Sequence, residues 1–484
     1  MNSCGFNFDT SYIKLPGQFF TKLNPKGALN PQMIVFNDKL ASSIGLDFSK
    51  ISISQQANLF SGKLIPKDAV PFSQAYAGHQ FGHFTILGDG RAHILGEHIS
   101  PDGKRHDIQL KGSGQTPYSR RGDGRAVLGP MLREYIISEA MHYLGVPTTR
   151  SLAVVSTGEN VRRESNLPGA ILTRIASSHI RIGTFEFAAA TGNIDLLERL
   201  LNYTINRHYP EIKNNENKAL SLLSVLMEKQ IDLIVQWMRV GFIHGVMNTD
   251  NITLSGETID YGPCAFMDHY NKATVFSSID HSGRYAYGNQ AKIMQWNLAR
   301  FAEALLPLIS DEPNQAVGLA EEIINIFQNN YEEKWLSMMG LKLGINNVNN
   351  DDKKLVNDLL DWMTNNSADY TNTFCDLANP NILKMDLYSN EIFRSWFNRW
   401  LIRIKKNLTS GESASFLMKK NNPLVIPRNH IIEEALNLAH EGDLSLFTDF
   451  LDVLTFRQNK NNILNRYLEP PTKDQKVYQT FCGT

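Results

Sequence analysis

Cysteine is scarce in this sequence, with Cys4, Cys264, Cys375 and Cys482 the four in 484 residues. No two of them form a Cys-x-x-Cys pair, which argues against a structural zinc site. The sequence also lacks any apolar run of the roughly 20 residues that a membrane-spanning helix needs. We therefore expect neither a zinc-stabilised module nor a membrane-embedded part.

Charge of one sign is not in excess either. The formal net charge is −1, so no overall field draws the chain to nucleic acid or to a membrane surface, and we expect neither as a partner. The first twenty residues have neither the basic-then-apolar order of a signal peptide nor the Arg-rich character of a transit peptide. We expect a cytoplasmic protein. Its length and its 42% hydrophobic content allow two or three lobes with a substantial core.

Three strands are predicted between residues 76 and 112. The first runs into the turn Gly88–Arg91, the second leads back out of it, and the third ends at Lys111. Glycines let backbone N–H groups approach phosphate oxygens, and a lysine supplies a point charge for a phosphate. This order of strands is typical of the N-lobe of a kinase-like fold.

A helix is predicted over residues 129–145, ended by Gly145 and Pro147. Glu134 lies in its first turns, at a spacing from Lys111 that suits the strand-to-helix Lys–Glu ion pair of kinases. The alternative is that Glu134 is a surface residue of a helix with several polar positions.

Two stretches are rich in arginine. The motif Gly-Asp-Gly-Arg-Ala occurs at 88–92 and again at 122–126, and the second copy follows Arg120 and Arg121. Two such loops could converge on one polyanion. Arg174 and Arg181 follow later in the chain, and arginine is suited to bidentate phosphate contacts. The alternative for these two is a pair of surface arginines.

The segment 244–262 predicts a metal and phosphate site. Asn251 closes the loop opened by His244, and Asp260 begins an Asp-x-Gly triplet. We expect two short strands joined by a turn to bring Asn251 and Asp260 side by side. Mg²⁺ prefers oxygen ligands of this kind and completes its shell with phosphates. The alternative is a solvated turn of Asn and Asp residues.

This layout is that of the kinase catalytic loop, in which an Asp follows the opening His-Gly or His-Arg pair. Val246 stands where that Asp should be, and a valine cannot accept a proton. The nearest carboxylate is Asp250. The sequence therefore predicts a kinase-like fold that lacks the phosphotransfer base and has another acid nearby.

Assembled, these motifs resemble the selenoprotein O family (SelO, called YdiU in bacteria), and the resemblance spans nearly the whole chain. The family is identified by Gly82 and by the segments 87–92, 109–114, 116–120, 122–126, 133–135, 147–150, 248–251, 259–263 and 426–430.

The resemblance implies a kinase-like enzyme that transfers AMP, not phosphate, from ATP to hydroxyl side chains of proteins, with release of pyrophosphate. Some bacterial members use UTP as well. It also implies a nucleotide bound upside down relative to kinases, with the γ-phosphate pointing inward to Arg174 and Arg181. The expected partners are protein substrates and ATP or UTP, with Mg²⁺ or Mn²⁺, and we expect a monomer.

Residue by residue, the resemblance implies that Asp250 accepts the hydroxyl proton, that Asn251 and Asp260 hold the metal, and that Glu134 orients Lys111. The implied nucleotide contacts are Gly88, Gly90, Arg91, Lys111, Asp123, Gly124, Arg174, Arg181 and Asp260.

The expected fold class is α+β, a protein-kinase-like two-lobe fold with a β-rich N-lobe, a helical C-lobe and a helical C-terminal extension. The expected divisions are an N-terminal extension over 1–75, a nucleotide-binding N-lobe over 76–190, a C-lobe with the catalytic and metal loops over 191–310, a helical extension over 311–472 and a flexible tail over 473–484.

Two other functions stay open at this point. One is a small-molecule or protein kinase that transfers the γ-phosphate, which Val246 argues against. The other is a catalytically dead scaffold that binds ATP. Such a scaffold would not need Lys111, Asn251 and Asp260 together.

Cys264 follows Asp260 by four residues, and Cys482 lies in the expected tail. A reversible disulfide between them is one hypothesis, consistent with the redox role suspected for the C-terminal cysteine or selenocysteine of the family. The alternative is that Cys264 is a small buried residue and Cys482 is a thiol without such a role.

Overall fold

The structure is a computed structural model that describes residues 4–406, 413–455 and 465–481. A β-rich N-terminal part is followed by a helical C-terminal part, which confirms the predicted α+β class. The strands are β1 (Phe20–Lys22), β2 (Gln32–Phe36), β3 (Phe72–Gln80), β4 (His83–Gly88), β5 (Ala92–Ile99), β6 (Arg105–Lys111), β7 (Ala126–Val127), β8 (Arg150–Arg162), β9 (Asn166–Ala176), β10 (Phe242–Ile243) and β11 (Ala265–Phe266).

Nine of these strands form one sheet in the order β1-β3-β5-β6-β9-β8-β2, with β4 paired to β3 and β7 to β9. Every one of these pairings is antiparallel. Because β1 and β2 belong to the same sheet, the segment 1–75 contributes to the N-lobe directly. The expected boundary after residue 75 falls inside β3, and the division into domains stays a prediction.

The helices follow mainly in the second half of the chain. They are α1 (Asp38–Ser43), α2 (Ile53–Phe60), α3 (Leu128–Tyr143), α4 (Ile182–Ala190), α5 (Ile194–His208), α6 (Lys218–Val240), α7 (Gln290–Ile309), α8 (Pro313–Asn325), α9 (Phe327–Lys342), α10 (Asn350–Asn365), α11 (Tyr370–Asp376), α12 (Glu391–Lys405), α13 (Ala414–Asn421), α14 (Asn429–His440) and α15 (Ser445–Thr455).

Helix α3 is buried on both sides. Leu132 and Ile136 pack toward β8 and β9, while α14 and α15 of the C-terminal part cover the opposite side. The charged residues Arg133 and Glu134 are therefore buried as well. A helix with one solvent-exposed face would expose them. The C-terminal helices thus help to fix the helix that carries Glu134.

Helix α6 leads the chain into the site. The side chain of Asn217 caps its first turn by accepting from the N–H of Leu220, and its inward face is apolar. Near its end, Trp237 Nε1 donates to Thr258 Oγ1 at 2.9 Å. The helix therefore anchors the segment that delivers Asp260.

The described part of the C-terminal segment contacts the rest of the protein at Thr480. This residue is buried and forms a bridge with Ser277. Its Oγ1 donates to the carbonyl oxygen of Pro263 at 2.6 Å, three residues after Asp260. Most of the side chains between residues 472 and 479 are exposed, and the expected flexible tail over 473–484 stays a prediction.

Within the described residues, no helix is both long and apolar enough to cross a membrane.

Candidate active site

A cavity of about 810 Å³ lies between the sheet and the segment that follows α6. It brings together all the predicted nucleotide-binding, metal-binding and catalytic residues, which come from distant parts of the chain. They are Gly88, Gly90, Arg91, Lys111, Asp123, Gly124, Arg174, Arg181, Asp250, Asn251 and Asp260.

Lys111, at the end of β6, forms the ion pair expected from the sequence. Its Nζ lies 2.6 Å from Glu134 Oε2 on α3 and 3.1 Å from Asp260 Oδ1. Burial alone would raise the pKa of Glu134, but Arg174 and Lys111 outweigh it and hold that pKa below its ordinary value. The pair is buried and charged, which is the arrangement of the strand Lys and helix Glu in kinases.

Arg174 and Arg181 are both buried and held in ion pairs, so they are not the pair of surface arginines that the sequence left open. Arg174, on β9, binds Glu134 and lies 2.7 Å from Asp260 Oδ1 through Nη2. Arg181, just before α4, lies 2.6 Å from Asp260 Oδ2 through Nη1. Burial would raise the pKa of Asp260, but these two arginines and Lys111 hold it well below its ordinary value.

Asp260 is placed by an irregular backbone and not by the hairpin expected from the sequence. Asn251 ends a short 3-10 helix, Thr249–Asn251, and Asp260 has a left-handed φ of 59°. Instead of pairing with each other, residues 253 and 258 form isolated bridges with Arg181 and Thr148. The expected pair of strands is therefore wrong, because both partners come from remote segments.

Asp250 is the acid in the cavity without a cationic side chain bound to its carboxylate. It is buried, and its Oδ1 finds no hydrogen-bond partner in the described ranges of the chain. Arg181 donates instead to its backbone oxygen at 2.7 Å. Burial raises the pKa of Asp250 to about 6, with Arg181 opposing the rise. A carboxylate with an unused oxygen and a pKa close to neutrality is suited to accept a proton.

Asp250 comes so close to β3 that only glycine fits opposite it. A Cβ atom at Gly78 would lie 2.2 Å from Asp250 Oδ1. The carboxylate therefore packs directly against the sheet backbone.

The oxygen donors of the cavity fit a hard cation. Asn251 Nδ2 donates to the carbonyl of Val246 at 2.9 Å, which leaves the amide oxygen for another partner. Asp250 and Asp260 contribute carboxylate oxygens. The described residues contain no cluster of three or more His, Cys, Asp or Glu that could hold a metal alone. An ion here would complete its shell with nucleotide phosphates, as Mg²⁺ commonly does.

The second Gly-Asp-Gly-Arg-Ala copy forms the outer wall of the cavity. Asp123 pairs with Arg163 at 2.8 Å, and Gly124 has a left-handed φ of 68°. A Cβ at Gly124 would lie 2.2 Å from the backbone carbon of Gly114, so this turn requires glycine. Arg163 lines the cavity although no motif in the sequence singled it out.

A network that the sequence did not reveal holds the catalytic segment against β3 and α4. Glu186 on α4 accepts from Thr249 Oγ1 and is bonded to His79 Nδ1, both at 2.6 Å. The N–H of His79 in turn donates to Thr249 Oγ1 at 2.6 Å. Thr249 directly precedes Asp250, whereas Glu186 and His79 belong to no local motif and are related to Asp250 only by their meeting in space.

Cys264 is buried and does not line the cavity. Its carbonyl oxygen accepts from Arg133 of α3 at 2.7 Å. Cys482 lies outside the described residues, so the pairing of Cys264 with Cys482 stays a prediction.

Comparison with known proteins decides the family. The model of the family described as protein adenylyltransferase SelO matches residues 3–455. The chain belongs to the SelO family. Two curated relatives called protein nucleotidyltransferase YdiU cover nearly all of this chain. That of Pelagibacter ubique is 55% identical over 480 residues and covers 99% of both chains, and that of Nitrosococcus oceani is 54% identical over 481 residues. The latter alignment covers 99% of this chain and 98% of the relative.

One solved structure is also similar to this SelO chain. It is the kinase domain of a rhoptry antigen from Toxoplasma gondii, with a TM-score of 0.25 and 10% identity over 54% of this chain and 85% of that chain. A TM-score this low carries no argument about the fold, which stands on the topology and on the Lys111–Glu134 pair. The family predicted from the sequence is confirmed by the family model and the curated relatives.

Proposed function

We propose that this SelO chain is a protein adenylyltransferase that moves AMP from ATP onto a Ser, Thr or Tyr hydroxyl of a protein substrate. The observation that carries the proposal is the buried Oδ1 of Asp250, which has no partner in the described residues. The other acid of the metal site, Asp260, is bound by three cationic side chains. The position of the kinase base is filled by Val246, which can take no proton.

In the proposed step the acceptor hydroxyl oxygen attacks the α-phosphorus. The bond between the α-phosphorus and the oxygen bridging to the β-phosphorus breaks, and pyrophosphate leaves with the electron pair. The carboxylate of Asp250, which lines the cavity, takes the hydroxyl proton. A base with a pKa near 6 is deprotonated at neutral pH and still basic enough to share a proton in the transition state.

The phosphates are proposed to bind to three cationic side chains, those of Lys111, Arg174 and Arg181. In the structure their charges are balanced by Glu134 and Asp260. A triphosphate would compete with these carboxylates for the same N–H groups, which are suited to phosphate oxygens. The further nucleotide contacts we propose are Gly88, Gly90, Arg91, Asp123 and Gly124.

Asn251 and Asp260 are the residues proposed to hold Mg²⁺ or Mn²⁺. Either ion would supply positive charge at the phosphates. The amide oxygen of Asn251 and the carboxylate of Asp260 would set the position of the ion relative to Asp250.

Incubation with ATP labelled at the α- or the γ-phosphate tests the proposal. We expect protein to retain label only from the α position, together with release of pyrophosphate. Label retained from the γ position would show a kinase instead. Binding of ATP without any transfer would show a scaffold. Repeating the assay with UTP, and with Mn²⁺ in place of Mg²⁺, determines the preferred nucleotide and ion.

The monomeric state, the cytoplasmic location and the disulfide between Cys264 and Cys482 stay predictions. Light scattering on the purified chain tests the first, and cell fractionation tests the second. A peptide map made without reductant tests the third.

A further inference from the structure

Arg284 is a cation near the site that pairs with none of the acidic residues that the structure describes. Its guanidinium lies 4.7 Å from the centre of the Trp296 ring on α7 and 5.7 Å from that of Tyr285. The side chain is half-buried, and its Nε and Nη2 are buried without a hydrogen-bond partner in the part of the chain that the structure describes. A guanidinium binds a carboxylate bidentately through an edge such as Nε–Nη2, and here that edge is unpaired.

The arginine that shares the Trp296 ring with Arg284 does have an acidic partner. Arg300 stacks on the same Trp296 ring at 5.3 Å, but it is paired with Glu303. The nearby Asp280 directs its two carboxylate oxygens to the backbone N–H groups of Arg284 and Tyr285, at 2.9 and 2.8 Å. A partly desolvated charge without a counter-charge costs free energy, so an acid supplied by another molecule would be favoured here.

Arg284 is connected to the catalytic segment through its neighbour. Tyr285 OH donates to Asn248 Oδ1 at 2.6 Å, and Asn248 precedes Asp250 by two residues. The same oxygen accepts from the N–H of Phe81 at 3.1 Å. Asn248 thus fixes both the β3–β4 turn and the segment of Arg284 relative to the proposed base.

The β3–β4 turn leaves room beside Arg284. Phe81 has a left-handed φ of 51°, which is rare for a bulky residue and is found where surrounding contacts impose it, often at binding sites. At the next residue, Gly82, the only atom within 4 Å of an added Cβ would be Arg284 Nη2, at 4.0 Å. Apart from Arg284 Nη2 and the two chain neighbours of Gly82, no described residue fills the space within 4 Å of that point. Phe81 and Ile279 line the cavity on this side.

We propose that Arg284 determines substrate specificity by binding a carboxylate of the protein substrate within a few residues of the acceptor hydroxyl. The proposed partner is an extended segment with an Asp or Glu close to the modified Ser, Thr or Tyr. The proposal rests on the proposed function, since it requires the acceptor to reach Asp250. An extended peptide advances about 3.3–3.6 Å per residue, so the four positions on each side of the acceptor reach roughly 13–14 Å from it.

Synthetic peptides test this with the intact chain. Each peptide carries one Ser acceptor and either Glu, Gln or Lys at one of the four positions on each side, and transfer is followed with α-labelled ATP. We expect at least a tenfold higher kcat/KM for Glu than for Gln at one or more positions. Arg284→Gln should abolish that preference, and Arg284→Glu should favour Lys at the same positions. Arg300→Gln, the matched control, should keep the preference for Glu.

Equilibrium binding of ATP to each variant shows that it is folded and that its nucleotide site is intact. The proposal is overturned if the unsubstituted chain does not distinguish Glu from Gln, or if Arg284→Gln keeps the preference. It is also overturned if no peptide is modified by a chain that binds ATP. Transfer of label from γ-labelled instead of α-labelled ATP would refute the proposed function, while the charge preference would still report on Arg284.

Discussion

Asp250 and Asp260 lie in one cavity, yet their surroundings favour opposite protonation states. Burial raises the pKa of Asp250 to about 6, and Arg181 opposes this only in part. Burial acts on Asp260 as well, but Arg174, Arg181 and Lys111 outweigh it and keep the pKa far below the ordinary value. The carboxyl group of Asp250 is therefore suited to accept a proton, whereas that of Asp260 remains ionised.

Substituting Asp250 by Asn should stabilise the metal-free protein while removing transfer activity. The folded protein binds the Asp250 proton more tightly than the unfolded chain does, so stability falls as pH rises from about 4 to about 6 and stays lower above. Asp250→Asn removes this loss of stability, so the free energy of unfolding of the variant should be higher by about 1–3 kcal/mol at pH 7.5. Urea unfolding in the presence of a chelator measures it. At pH 4 the difference should disappear, and a variant no more stable at pH 7.5 would contradict the prediction.

Substituting Asp260 by Asn should have the opposite effect on stability. The depressed pKa of Asp260 means that its carboxylate stabilises the folded state above pH 4, and that this contribution is lost as pH falls through the folded-state pKa. Asp260→Asn leaves three cations without their shared partner, at a cost of about 3–5 kcal/mol. Transfer should also be lost. Activity within tenfold of the unsubstituted chain at saturating Mg²⁺ would refute the metal assignment.

The site residues that lie within short sequence motifs could be predicted from the sequence. Asp250 could be proposed as the base because it is the carboxylate nearest to the vacant kinase position at Val246. Glu186 and His79 could not be found in this way, since they lie 107 residues apart and meet only in space. The same is true of Arg163, which reaches Asp123 from the turn between β8 and β9.

At the scale of elements, α3 joins the N-lobe to the C-terminal helices. Arg133 donates from α3 to the Cys264 carbonyl at 2.7 Å and pairs with Glu433 of α14 at 2.8 Å. The neighbouring residue on α3 is Glu134, which holds Lys111. The position of the Lys–Glu pair therefore depends on packing from the far end of the chain.

Arg133→Gln should destabilise the protein by about 1.5–3 kcal/mol, because a charge-assisted hydrogen bond to a buried carbonyl is lost. Glu433→Gln is the matched control. Its side chain is 43% exposed, and loss of an exposed ion pair should cost less than about 1 kcal/mol. Thermal and urea unfolding compare the two. Equal losses would show that the Cys264 carbonyl contributes nothing.

Periodicity predicted α3 and the strands around Gly88 because their patterns are local and regular. It failed for residues 252–259, which were expected to form a hairpin. The N–H of Leu254 donates to Ile180 and that of Thr258 to Pro147, so neither segment pairs with its sequence neighbour. A local pattern cannot show partners that lie in remote parts of the chain.

At the scale of the whole molecule, the C-terminal part supports the segment that follows Asp260. Arg428 lies 2.6 Å from Asp268 and 2.9 Å from Asp369, and Asn429 Nδ2 donates to the Phe266 carbonyl. Thr480 donates to the Pro263 carbonyl. The segment after the proposed metal ligand is thus held from two places in the described C-terminal part, residues 428–429 and Thr480.

Thr480→Val should loosen this segment without changing its shape, since valine keeps the volume of threonine but cannot donate. Leaving the Pro263 carbonyl unpaired should cost about 1–3 kcal/mol locally. We expect faster amide hydrogen exchange at residues 276–278. Thr472→Val is the control in the same tail, where the side chain is exposed and bonds only to Gln475. Exchange rates that are unchanged, or that rise equally in both variants, would contradict the prediction.

The separation of 217 positions between Pro263 and Thr480 also affects how the protein folds during its synthesis. Synthesis proceeds from the N-terminus, so the ribosome has finished every residue of the proposed site long before it makes the residues that support it. Contacts between such distant positions form late in folding. A nascent chain, or a product of premature termination after residue 263, would carry all the proposed nucleotide-binding, metal-binding and catalytic residues on an unsupported segment. The supporting contact cannot form before Thr480 has been translated.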